Sequence, residues 1–122
     1  MERKHIKKLD KLWSQKVKED ANFRCEICGK SGDTCQLHSH HIWGRRIRST
    51  RWDLDNGVCL CASHHTMGLQ SAHESPAWFL KEIKSLRGDK WFKELEKQST
   101  KSFKGIFDDV WDYLKGIIKK YV

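Results

Sequence analysis

Apolar residues recur with helical spacing at both ends of this chain and with short, alternating spacing in its middle. Ile6, Leu9, Trp13 and Val17 share one stripe, with Leu12 beside it and lysines elsewhere, which predicts a basic amphipathic helix over 2–20. Residues 34–42 alternate loosely and predict a short strand that ends at two adjacent histidines, His40 and His41. Val58–Leu60 predicts the returning strand, and Ala62 onward a short helix, so residues 34–70 read as a ββα unit around a charged loop from Arg45 to Asn56. Ser75-Pro76 predicts a helix start, with Ser75 as N-cap and Pro76 in the first turn. Phe79, Leu80, Ile83 and Leu86 give that helix its apolar face, and Gly88 ends it. A shorter helix over 89–98 offers Trp91, Phe92 and Leu95. The last stretch is the most regular: Phe103, Ile106, Phe107, Val110, Trp111, Leu114, Ile117, Ile118 and Tyr121 predict one long helix, weakened at Gly105 and Gly116.

The pattern describes one small α+β domain. Its parts are a basic N-terminal helix (1–20), a core (21–75) and a C-terminal helical extension (76–122) packed in the same compact unit. Of the 122 residues 38% are hydrophobic and 33% charged, so the apolar core is modest and a metal staple is expected. Net charge is +8 although 16 residues are acidic. The excess is not a basic tail, and a polyanion, most simply nucleic acid, is the expected partner. No run approaches the ~18 apolar residues of a membrane span. Residues 1–20 lack the apolar segment of a signal peptide. The expected compartment is therefore the reducing cytoplasm, where paired cysteines hold metal rather than form disulfides.

Two ligand series interleave in the core. Cys25-x2-Cys28 and Cys61-x2-His64 each place two N/S ligands on one turn, and together they supply the four that a structural zinc takes. Gly29 follows Cys28 where such a turn needs a positive φ. Cys35 is the alternative to His64 as fourth ligand, and Cys59 is expected to pack away from the metal.

His40, His41, Asn56 and His65 form the second series. Cleaving a phosphodiester needs a deprotonated water, charge relief at the phosphate and stabilisation of the leaving oxygen. A neutral histidine can take the proton, and a divalent ion with open positions can serve the other two needs. Adjacent residues on a strand point opposite ways, so one histidine of the pair can ligate while the other faces the water. His65, on the facing helix, can complete the clamp.

The stretch HSHHIWGRR…RWDLDNGVCLCASHH…AHESP resembles the HNH endonucleases, or ββα-metal nucleases, and in particular phage and prophage members with a treble-clef zinc knuckle. The resemblance covers about residues 23–80. It implies a ββα-metal core in which His40 and His65 bind a catalytic ion, His41 is the general base, and Asn56 orients that base or braces the loop. His73, in AHESP, stands where similar phage sequences often carry a histidine and is the implied third ligand; a surface role beside the next helix cap is the alternative. Two departures stand out: His64 replaces the usual fourth zinc cysteine, and His40 replaces a frequent aspartate. Three imidazoles suit Zn²⁺, Ni²⁺ or Mn²⁺ better than Mg²⁺. The implied activity is one-metal hydrolysis of DNA, with double-stranded DNA the expected partner, leaving 5′-phosphate and 3′-hydroxyl ends.

Arg45, Arg46, Arg48 and Arg51 crowd the loop beside this site and are expected to grip phosphates. Trp43 and Trp52 flank them and are expected to pack. The N-terminal lysines are divided between backbone contacts and a solvated face. The last helix is expected to cover the core, the alternative being an interface with a second copy or a phage protein. The rival functions are a non-catalytic zinc-stabilised DNA-binding module, an RNA-directed nuclease, and an adaptor that works through its last helix.

Overall fold

Two five-residue strands form the centre of the computed structural model, which describes residues 1–120. β1 (Leu37–His41) pairs antiparallel with β2 (Gly57–Cys61), Leu37 opposite Cys61 and His41 opposite Gly57. β2 reads Gly-Val-Cys-Leu-Cys and is buried throughout, because both sides of the hairpin are covered. α1 (Arg3–Asp20) lies on one side and buries the predicted stripe of Leu9, Leu12, Trp13 and Val17. The pleat of β1 sends Ser39 and His41 toward it: Ser39 Oγ donates to the Ser14 carbonyl at 2.7 Å, and His41 stacks on Trp13 with ring centroids 3.8 Å apart. His38 and His40 turn to the other side, where they meet His65.

The N-terminal helix is therefore one wall of the core rather than an appendage, and one contact shows how close that wall is. A Cβ built on Gly57 would collide with the Val17 side chain and stand 2.8 Å from Trp13 Cζ2. Gly57→Ala is expected to cost about 1–3 kcal/mol, read as a lower midpoint in urea or thermal unfolding.

The charged loop is more ordered than its sequence suggests. It holds the single helical turn α2 (Arg48–Arg51) and a tighter turn at Leu54–Asn56. After β2 the predicted short helix is one wide π-type turn, Ser63–Met67. α3 (Pro76–Arg87) begins at Pro76 as expected, but Ser75 is no side-chain cap, because its hydroxyl donates to the Leu69 carbonyl at 2.6 Å. Gly88, at φ +92°, separates α3 from α4 (Asp89–Ser99).

The long last helix does not form. α5 spans only Phe107–Leu114. Gly116, at φ +79°, ends it in a left-handed turn closed by bonds from Gly116 N–H to the Tyr113 carbonyl and from Ile117 N–H to the Asp112 carbonyl. Val110 and Leu114, inside α5, are buried, whereas Ile106 before it is 60% exposed and Ile117 after it 68% exposed. Tyr121, predicted on the same stripe, lies outside the described residues. Among the described residues no helix is long and apolar enough to cross a membrane.

Candidate metal centres

The four expected zinc ligands converge. Cys25 and Cys28 come from the knuckle after α1, where Gly29 takes φ +77°; Cys61 ends β2, and His64 sits on the π turn. Cys28 Sγ lies 3.8 Å from Cys61 Sγ, and His64 Nδ1 lies 3.4 Å from Cys61 Sγ and 3.8 Å from Cys25 Sγ. Ligands about 2.0–2.3 Å from a tetrahedral zinc stand about 3.4–3.8 Å from one another, so these spacings match a shared ion. Electrostatics agree. Burial and the neighbouring Cys25 sulfur push the Cys28 thiol up to about 11, a crowding of like groups that a divalent cation relieves. Cys25 moves down despite its burial, because backbone N–H groups point at its sulfur. These four residues could hold a metal ion such as zinc.

Cys35 stays outside the cluster, with its thiol on the Ser31 carbonyl. Cys59 is fully buried in the core, and its thiol is pushed up to about 11 by burial. Residues two apart on a strand share a face, so what separates Cys59 from the metal is its place along β2.

Glu26, inside the knuckle, clips this centre to the sheet. It binds Cys59 through both its backbone N–H and its carboxylate, each at 2.8 Å, and takes an ion pair from Arg87 of α3 at 2.7 Å. Nothing in the sequence spacing marks either partner.

The second cluster is His40, His65 and His73, whose ligand nitrogens all lie within 4.8 Å of one another. β1 brings His40, the π turn brings His65, and the loop before α3 brings His73. His65 Nε2 and His73 Nε2 are 3.1 Å apart, close to the separation of adjacent nitrogens on one ion. Burial, then the neighbouring imidazoles, lowers His40 to about 3 and His65 to about 4, so both are neutral with lone pairs free to ligate.

Sequence reasoning missed His38. Its Nδ1 lies 2.8 Å from His65 Nδ1. With His65 Nε2 committed to a metal, the Nδ1–H would donate to His38, which fixes the tautomer and plane of the ligand ring. The signal was present: strand alternation puts His38 on the face of His40.

His41 points the other way, as its adjacency to His40 requires. Its Nε2 lies 3.0 Å from the Arg51 carbonyl. A carbonyl only accepts, so the neutral ring carries its hydrogen on Nε2 and leaves the Nδ1 lone pair free. Burial, more than the nearby charges, lowers His41 to about 4.

Asn56 braces the loop and has no hydrogen bond to His41. Fully buried, it accepts from Trp43 N–H at 2.7 Å and donates to the carbonyls of Trp43 (2.9 Å) and Thr50 (3.0 Å). An aspartate there would hold neither carbonyl and would bury a charge. Asn56→Asp is expected to cost about 3 kcal/mol or more, measured by urea denaturation.

The four arginines divide. Arg51 grips Asp10 of α1 with two bonds, 3.0 and 2.8 Å long, and Arg45 reaches the same carboxylate at 3.3 Å. Trp52, fully buried, donates its indole N–H there at 2.8 Å. These partners outweigh the effect of burial and hold the Asp10 carboxyl below its ordinary range. Its contribution to stability is therefore present above the ordinary carboxylate pKa and is lost as pH falls through the lowered one. Asp10→Asn should destabilise the protein at pH 7, with the gap to wild type closing in strong acid, as pH-dependent thermal melts would show. Arg46 and Arg48 are exposed and lack an ion pair among the described residues.

His40 and His41 share the wall of a cavity of about 290 Å³ whose other sides include Trp43, Phe79, Leu80 and Phe92. A larger hollow, about 610 Å³ along α3 near Lys81 and Lys84, contains neither cluster. Comparison with protein-family models, with curated proteins and with solved structures gives no match for this chain.

Proposed function

We propose that this chain is a metal-dependent DNA endonuclease with an HNH, ββα-metal core held by a structural zinc. The observation that carries the reading is the separation of the two series. Cys25, Cys28, Cys61 and His64 form a closed set of four, whereas His40, His65 and His73 form a set of three that leaves coordination positions for substrate. His41, the next residue of β1, shares a cavity wall with His40 and has one ring nitrogen fixed by a carbonyl and the other free.

In this reading His41 Nδ1 takes a proton from water, and the water attacks phosphorus in line, leaving a 5′-phosphate and a 3′-hydroxyl. A divalent ion on His40, His65 and His73 would supply charge relief at the phosphate and leaving oxygen. Three neutral imidazoles favour Mn²⁺, Ni²⁺ or Zn²⁺ over Mg²⁺. Arg46 and Arg48, without a carboxylate partner among the described residues, are the loop cations best placed for phosphates, while Arg45 and Arg51 brace the loop against Asp10.

Plasmid cleavage across Mg²⁺, Mn²⁺, Ni²⁺ and Zn²⁺ tests this directly. Wild type should nick or linearise DNA only with added metal, and His40→Ala/His65→Ala should lose that activity while keeping its zinc. Cleavage that persists in the double variant would remove the histidine cluster from the mechanism. DNA binding without cleavage under any metal would favour the non-catalytic binding module.

A further inference from the structure

The wall shared by His40 and His41 is mostly aromatic and aliphatic, which is unusual for a surface that meets only phosphate. Phosphate recognition uses guanidinium groups, lysines and backbone N–H groups; flat aromatic walls recognise flat, weakly polar rings. Trp43 and Phe92 line the cavity with near-parallel rings, tilted 25° from one another with centroids 6.4 Å apart. Phe79 and Leu80 add further apolar surface, and Phe79 sets its ring edge-on to His40. The volume, about 290 Å³, exceeds the space of a few waters and is large enough for one planar heterocycle.

A positive charge also stands beside this wall. Lys84 sets its ammonium 4.8 Å from the Phe92 ring centre, placing a cation beside the aromatic wall and within reach of a polyanionic strand.

We propose that this cavity holds a single unstacked nucleobase adjacent to the cleaved phosphate, so that the enzyme prefers DNA with an unpaired base at the cut over continuous duplex. The placement beside the cut rests on the nuclease reading above; the binding of a base does not. An intact duplex keeps its bases stacked and must first give one up, whereas a bulge or single strand presents one at little cost.

The test uses the full chain and four DNA oligonucleotides of one sequence: continuous duplex, duplex with a one-base bulge, single strand, and single strand with one abasic position. Bulged and single-stranded DNA should be cut at least about tenfold faster than duplex, and the abasic strand should lose that advantage near the missing base. Phe92→Ala and Phe92→Leu, changes at a half-exposed helix position, should lower cleavage of bulged DNA about tenfold more than cleavage of duplex. In parallel, His41→Gln should quench a single-stranded oligonucleotide carrying 2-aminopurine, and Trp43→Phe should weaken the quench. Equal rates on all substrates, with both Phe92 variants lowering them equally, overturn the base site and leave the nuclease standing. Quenching without cleavage by wild type under any metal overturns the nuclease reading and leaves the base site standing.

Discussion

Removing the metal ion that Cys25, Cys28, Cys61 and His64 could hold, zinc in the proposed reading, is expected to unfold this protein. Of the predicted effects this is the largest, because the ion would tie together segments with little else in common. The knuckle at Cys25 and Cys28 has no regular secondary structure beyond one isolated bridge, Arg24 to Ser31. Its polar links to the sheet and α3 run through Glu26 and the two sulfurs, and Ile27 adds a partly buried apolar contact with the core. Cys61 and His64 fix the end of β2 and the π turn, whose residues are all partly or fully exposed. Structural zinc contributes about 10 kcal/mol or more of apparent binding energy at neutral pH, and a domain of this size has about 5–15 kcal/mol of stability in total. The purified protein should hold one zinc per chain by elemental analysis. Chelation, or Cys61→Ala, should abolish the cooperative thermal transition and the near-ultraviolet signal of the six tryptophans. Replacement by Co²⁺ should give the visible absorption of a tetrahedral thiolate site. A sharp, undiminished melt after complete zinc removal would show that the cluster does not hold the fold. His40→Ala, which leaves all four ligands of this cluster in place, should keep a cooperative melt, lowered only by the packing lost against Phe79.

Much of this was legible in the sequence because ligand sets are sequence-local. A C-x2-C turn and a C-x2-H turn carry their own geometry, and His40 and His41 must diverge wherever a strand runs through them. The ligand nitrogen of His65 stands with those of His40 and His73, while His64, one residue earlier, meets the cysteines. The five-residue π turn carries both, and their adjacency lets one turn serve two centres. What stayed hidden depends on partners distant in the chain. Arg51 was expected to grip phosphate, and its pairing with Asp10 of α1, 41 positions away, is not visible in the spacing. Asn56 carried two candidate roles, and its bonds to the loop carbonyls of Trp43 and Thr50 depend on a loop path that spacing does not give. The last helix failed for a local reason that periodicity ignores: a glycine at φ +79° closes a helix however well the apolar stripe continues.

His41→Ala is expected to lower metal-dependent cleavage by about 10²–10⁴-fold, the range for a lost general base. Its position makes a structural explanation plausible enough to need separating, since the ring stacks on buried Trp13 and bonds the Arg51 carbonyl. Truncation leaves a hole against Trp13 and should by itself cost about 1–3 kcal/mol of stability. His41→Gln divides the two roles. Its amide N–H can still reach the Arg51 carbonyl, but it presents no basic nitrogen to water. A base assignment therefore predicts a near-wild-type melt, unchanged zinc content and unchanged DNA affinity together with cleavage as low as that of His41→Ala. Added imidazole should partly restore His41→Ala, where the hole admits it, and should not restore His41→Gln, whose side chain fills the space. Should His41→Gln cut DNA within a fewfold of wild type, the ring's work is to hold the Arg51 loop against Trp13, and the proton must leave through another group.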